Sequence, residues 1–141
     1  MATTRTANAH WNGSLLEGSG TVSLDSSGLG TYEVSWPSRA EEANGKTSPE
    51  ELIAAAHATC YSMALSHQLA GAGTPPESVD TRADVTFQPG EGITGIHLTV
   101  RATIPGLDAA GFAEVAESAK QNCPVSKALA GTKITLDAAL A

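Results

Sequence analysis

Cys60 and Cys123 are the only cysteines of this chain, and both fall in alanine-rich stretches with helical patterning. A sulfur attacks an O–O bond, binds a metal or exchanges with a disulfide as its thiolate. Because a free cysteine titrates near ~8.5, a reactive one needs a nearby cation or a helix dipole. Cys60 closes the run Ser48-Pro49-Glu50-Glu51-Leu52-Ile53-Ala54-Ala55-Ala56-His57-Ala58-Thr59-Cys60, which puts it in mid-helix, away from the dipole. It therefore requires a side-chain cation. Arg39, in the polar segment that precedes this helix, offers a permanently charged planar fork of donors. A guanidinium beside a buried thiol calls for a carboxylate on its other edge, and Glu50 or Glu51 stands at the helix start for that purpose. On a straight helix Glu50 and Cys60 are about 15 Å apart along the axis. Glu50 then serves Cys60 through Arg39 or from a second subunit, and two central helices packed antiparallel favour the shared arrangement.

Other chemistries use some of the same residues. Buried cysteine commonly acts as a small hydrophobe. Arg39 and Glu50 also suit a solvated loop charge and a first-turn carboxylate that complements the helix dipole. His57, three residues before Cys60 on the same helical face, invites a Cys-His hydrolase or a zinc site with Cys60 and Cys123. The chain has no Cys-x-x-Cys or His-x-x-x-His pair, and no strained turn precedes Cys60. His57 is expected to pack in the helix with one nitrogen satisfied. Gly18-x-Gly20 lacks the third glycine and the following helix of a dinucleotide fingerprint, so it is expected to be a turn.

The elements that position these residues are read from period and punctuation. Residues 6–36 alternate apolar with polar in three short stretches broken by Asn12-Gly13, Gly18-Ser19-Gly20 and Ser26-Ser27-Gly28, which predicts a three-stranded antiparallel meander. Its third strand is expected over 31–36, and residues 37–47 are expected to be a loop. Ser48 caps the central helix, with Glu51 closing a capping box and Pro49 in the first turn. From Leu52 to Leu69 apolar residues lie nearly all around the axis, which predicts burial on most sides. Strands over 78–88 and 93–104 are joined at Pro89-Gly90-Glu91-Gly92. A helix capped by Asp108 runs to Asn122, a helical turn covers 125–130, and a strand covers 133–140. The fold class is α+β, with residues 1–141 as a single domain.

The 141 residues are 41% hydrophobic but only 4% aromatic, so each buried side chain removes little surface from water. An obligate oligomer with a shared core is expected. The formal net charge of -7 argues against nucleic acid. No run approaches the ~20 apolar residues of a membrane span, and residues 1–15 lack a basic start followed by an apolar block. A cytoplasmic location without membrane partners is expected, where a long-lived structural disulfide is disfavoured.

The Ser48–Leu65 segment and Asn122-Cys123-Pro124-Val125-Ser126-Lys127-Ala128-Leu129 resemble the two signature segments of the OsmC/Ohr family of thiol peroxidases, and the likeness runs over the whole chain. Ala9-His10-Trp11-Asn12-Gly13 and Arg39 after the third strand resemble the OsmC branch more than the Ohr branch. The resemblance implies an intertwined α+β homodimer, with antiparallel sheets around long central helices and two active sites at the interface. By motif Cys60 matches the peroxidatic cysteine, Cys123 the resolving cysteine, Arg39 the activating arginine and Glu50 its carboxylate partner. It further implies reduction of organic hydroperoxides, with hydrogen peroxide left open, through a Cys60–Cys123 disulfide. An external dithiol of lipoyl type would reopen that bond, and no metal, haem or flavin would take part. Phe87, Leu65 and Met63 are candidates for an apolar wall. The alternative is a catalytically idle domain of the same fold that binds a small apolar ligand or a partner.

Overall fold

Asn8–Asn12 (β1), Ser19–Ser23 (β2) and Thr31–Val34 (β3) form the expected antiparallel meander in the computed structural model, which describes residues 1–141. They belong to the first of two compact units, Met1–Leu52 and Ile53–Ala141. Trp11 stands opposite Gly20 in the β1–β2 register. A Cβ on Gly20 would come within 2.7 Å of the Trp11 ring, so only glycine lets the indole lie there. Gly20 is thus a buried strand residue and not part of a turn.

The third strand stops at Val34, and Trp36–Ala40 forms a short helix, α1, where a loop was expected. The cause is local. Ser35 Oγ accepts from the Ser38 N–H at 3.2 Å, Ser38 Oγ accepts from the Ser35 N–H at 3.0 Å, and Pro37 sits in the first turn. This is a capping box built from two serines, a fainter signal than the Ser-x-x-Glu form. The Ser38 hydroxyl also reaches Thr47 O at 3.0 Å, and the Thr47 N–H donates to Glu33 O at 3.1 Å. The chain therefore returns beside β3 just before Pro49–Gly71, α2. Ser48 Oγ accepts from the Glu51 N–H at 3.1 Å, as expected of a cap. The Glu51 carboxylate accepts from the Thr47 hydroxyl at 2.7 Å, whereas the sequence assigned it the Ser48 amide.

In the second unit Ser78–Gln88 (β4) and Gly92–Thr103 (β5) make a hairpin whose turn uses positive φ at Gly90 and Gly92. Asp108 Oδ1 accepts from the Gly111 N–H at 2.8 Å and opens Ala109–Asn122, α3. Pro124–Ala128 (α4) and Ile134–Leu140 (β6) follow. β6 pairs with β5 in parallel, because the return passes through two helices rather than a tight turn. The second sheet is therefore mixed, where antiparallel sheets were expected.

Its core joins Ile96, Leu98, Val100 and Ala102 of β5 to Tyr61, Leu65 and Leu69 of α2 and to Phe112, Ala116 and Ala119 of α3. Burying each leucine here contributes roughly 1.5–3 kcal/mol. Only the stripe His57, Tyr61, Leu65, Leu69 of α2 is fully buried; the opposite side, Ala55, Thr59, Met63 and His67, is exposed, with Met63 at 68%. The expectation of burial on most sides thus fails for the single chain. Tyr61 is anchored by its hydroxyl, which donates to Ala116 O at 2.8 Å. Burial pushes its phenol up in pKa, and the Glu117 and Cys123 charges add to this. Tyr61→Phe is expected to cost about 1 kcal/mol of stability, the net worth of one buried hydrogen bond. Urea unfolding checks it, as a lower midpoint at unchanged slope.

Candidate active site

Arg39 falls in the last turn of α1 and Glu50 in the first turn of α2. The serine cap of α1 and the Thr47 contacts bring these two turns together within the first unit. Arg39 Nε donates to Glu50 Oε1 at 3.1 Å and Oε2 at 3.2 Å, and Nη2 donates to Oε2 at 3.0 Å. The Glu50 side chain is only 8% exposed against 31% for Arg39. A carboxylate so enclosed needs its counter-charge, and two-point contact fixes the plane of the guanidinium as well as its position. The sequence left Glu50 and Glu51 open as partners; the pairing is with Glu50 of the same chain. Arg39 also borders an apolar cavity of about 470 Å³, lined by Trp11, Leu15, Val22, Trp36 and Leu52 among others.

The thiols lie in the second unit. Cys60 is half-buried and Cys123 fully buried, and both are reduced. The Cys123 thiol and the Val125 amide both stand close enough to the Cys60 sulfur to act on it. Burial pushes the Cys60 thiol up in pKa; the Val125 amide lowers it, while the hydrogen bond and charge of Cys123 raise it further. Within this unit the balance opposes ionisation. Cys123 ends α3 and begins α4, and its side chain makes no capping hydrogen bond.

One turn along, a second contact joins the same two elements. His57 Nε2 and Ser126 Oγ are 2.7 Å apart, with His57 wholly buried. His57 Nδ1 is buried without a partner, so one nitrogen is satisfied, as expected. Since an orphan acceptor is tolerated better than an orphan donor, we assign the proton to Nε2, which donates to Ser126. The sequence reading missed Val125 and Ser126. Both lie in the second signature segment but were given no role there; the trace of Ser126 was a matched spacing, His57 before Cys60 and Cys123 before Ser126, each three residues apart.

No group of three or more His, Cys, Asp or Glu side chains is arranged to hold a metal ion, and no helix is long and apolar enough to cross a membrane. Of the side chains considered for an apolar wall, Leu65 belongs to the core, Met63 is exposed and Phe87 is half-buried on β4.

Residues 42–137 match the family model described as OsmC-like protein. The chain belongs to the OsmC family. It is 46% identical over 132 residues to Peroxiredoxin OsmC of Escherichia coli K12, covering 92% of this chain and 91% of that protein, which fits the OsmC branch. An organic hydroperoxide resistance protein from Elizabethkingia anophelis, solved with crystallant-derived thiocyanate bound, superposes with a TM-score of 0.71 at 26% identity over 100% of both chains. An organic hydroperoxide resistance protein OsmC from Legionella pneumophila shares the fold, with a TM-score of 0.70 at 24% identity, 98% of this chain and 99% of that one. The α+β fold of the OsmC family is thereby established for this chain.

Burial holds His57 below the ordinary histidine pKa. The unfolded chain then binds more protons than the native one as pH drops past ~6.5, the unfolded histidine value. The stabilising contribution is complete above that value and is lost as pH falls through the folded pKa. Urea midpoints measured across this range are expected to fall with acidification, and His57→Gln is expected to remove that part of the slope.

Proposed function

We infer that this protein is a cysteine-based hydroperoxide reductase. The observation that carries the reading is the contact between two reduced thiols, one half-buried and one fully buried, in a chain 46% identical to a named peroxiredoxin. We assign Cys60 as the attacking sulfur because it is the more accessible. Its thiolate attacks the terminal peroxide oxygen and the O–O bond breaks. An alcohol leaves with a proton, and Cys60 becomes a sulfenic acid. The Cys123 thiol then condenses with it, forming the S–S bond and releasing water. An external dithiol reopens the disulfide by exchange and is itself oxidised to a disulfide; a lipoyl-type dithiol is the proposed reductant.

Burial pushes the Cys60 thiol up in pKa within its own unit, so activation calls for a positive charge from outside that unit. Arg39, oriented by Glu50, is the proposed source and also stabilises the charge that develops on oxygen. Its place in the wall of an apolar cavity supports organic hydroperoxides as the substrate class, with the alkyl or aryl group in the cavity. The exposed side of α2 and the exposed Trp11, Leu15 and Leu16 support a homodimer that covers them. We propose that each site combines Cys60 and Cys123 of one subunit with the Arg39–Glu50 pair of the other.

One equivalent of cumene hydroperoxide is expected to lower the intact mass by two hydrogens, and Cys60→Ser or Cys123→Ser to abolish that loss. An unchanged mass of the unmodified protein would sink the enzyme reading in favour of a binding domain. Mixing Cys60→Ser with Glu50→Ala subunits tests the shared site. Heterodimers should regain one working site, since the intact thiols then meet an intact Glu50; continued inactivity would assign the pair to its own subunit.

A further inference from the structure

α4 and α2 meet at two places. At Cys60 the Val125 amide and the Cys123 thiol act on a sulfur that reacts, and these interactions must change when Cys60 is oxidised or bonded. The contact between His57 Nε2 and Ser126 Oγ, 2.7 Å long and buried at both ends, involves no reacting atom. It sits one helical turn from the thiols on both elements. α4 has only five residues, its cap makes no side-chain hydrogen bond, and its neighbour Cys123 is also the end of α3. Cys123, Val125 and Leu129 pack on the core, and the His57–Ser126 bond adds a directional tie between this turn and α2.

We propose that His57 and Ser126 form a latch that keeps α4 on α2 through the catalytic cycle, so that Cys123 stays poised to close on the Cys60 sulfenic acid. The proposal rests on the reductase reading. Both are positioning residues: neither touches peroxide, and each acts through the place it gives to Cys123. Without the latch Cys123 spends less time within bonding reach. The sulfenic acid then lives longer and becomes open to a second peroxide, which would carry it to the sulfinic acid.

Ser126→Ala is the test, since it removes the acceptor with little change of volume. After one equivalent of cumene hydroperoxide in the presence of dimedone, intact mass should show a larger Cys60–dimedone fraction and disulfide closure slowed about 3- to 10-fold, the worth of one net hydrogen bond. Added to Cys123→Ser, where only the first oxidation occurs, Ser126→Ala should alter that step by less than about twofold, whereas a general loosening of the fold would slow both steps alike. His57→Gln, whose amide keeps a donor near the Nε2 position, should close the disulfide at nearly the unmodified rate, and His57→Leu should be slow. Closure driven by oxidised glutathione, where Cys60 first takes up glutathione and Cys123 then expels it, should show the same order of variants without any peroxide. An unchanged dimedone fraction and closure rate in Ser126→Ala, or equal slowing in the Cys123→Ser background, overturns the latch. Failure of the unmodified protein to react with peroxide overturns the reductase reading instead, and the glutathione measurement still decides the latch.

Discussion

One side of α2 packs in the second unit through a stripe, His57, Tyr61, Leu65 and Leu69, and what surrounds the thiols follows from that seating. Tyr61 ties the helix to α3 through the Ala116 carbonyl. α3 ends at Cys123, so its position sets where that sulfur stands. The apolar members of the stripe supply most of the free energy of seating, and the two hydrogen bonds within it supply register. A helix held by leucines alone can slide or turn by a fraction of a residue. A tyrosine and a histidine that must each meet a fixed partner cannot.

The demands on Cys60 pull in opposite directions. Closeness to Cys123 and shelter from water favour a clean disulfide, yet the same shelter raises the pKa of the thiol that must ionise first. Only the Val125 amide offsets this within Ile53–Ala141. On the proposed reading a charge held elsewhere would resolve the conflict, because it would act on the thiolate without hydrating it. The Arg39–Glu50 pair has the right construction, a guanidinium locked in orientation by a nearly enclosed carboxylate.

Local signals in the chain were read with little loss. The cap at Asp108, the turn at Gly90 and Gly92 and the start of α2 at Ser48 each depend on residues within a few positions of one another, and each stands where the sequence placed it. α1 was overlooked because its box uses Ser38 in place of an acid. Gly20 was misread because its purpose lies across a strand, under Trp11. The Glu51 carboxylate turned to Thr47, a hydroxyl four residues back that the sequence reading did not weigh. Cys60, Cys123, Arg39 and Glu50 were singled out through their motifs, and the pairing of Arg39 with Glu50 was read correctly, while Ser126, though within a signature segment, was given no role. A serine three residues past a cysteine has no meaning until α4 is laid against α2.

Cys123 begins α4 at a position where serine, asparagine or aspartate would bond the free amides of the first turn, a gain of about 1 kcal/mol. Its sulfur makes no such bond. The chain thus gives up local stability at the position where the proposed cycle calls for a sulfur, and an oxygen there would gain a cap at the cost of that disulfide.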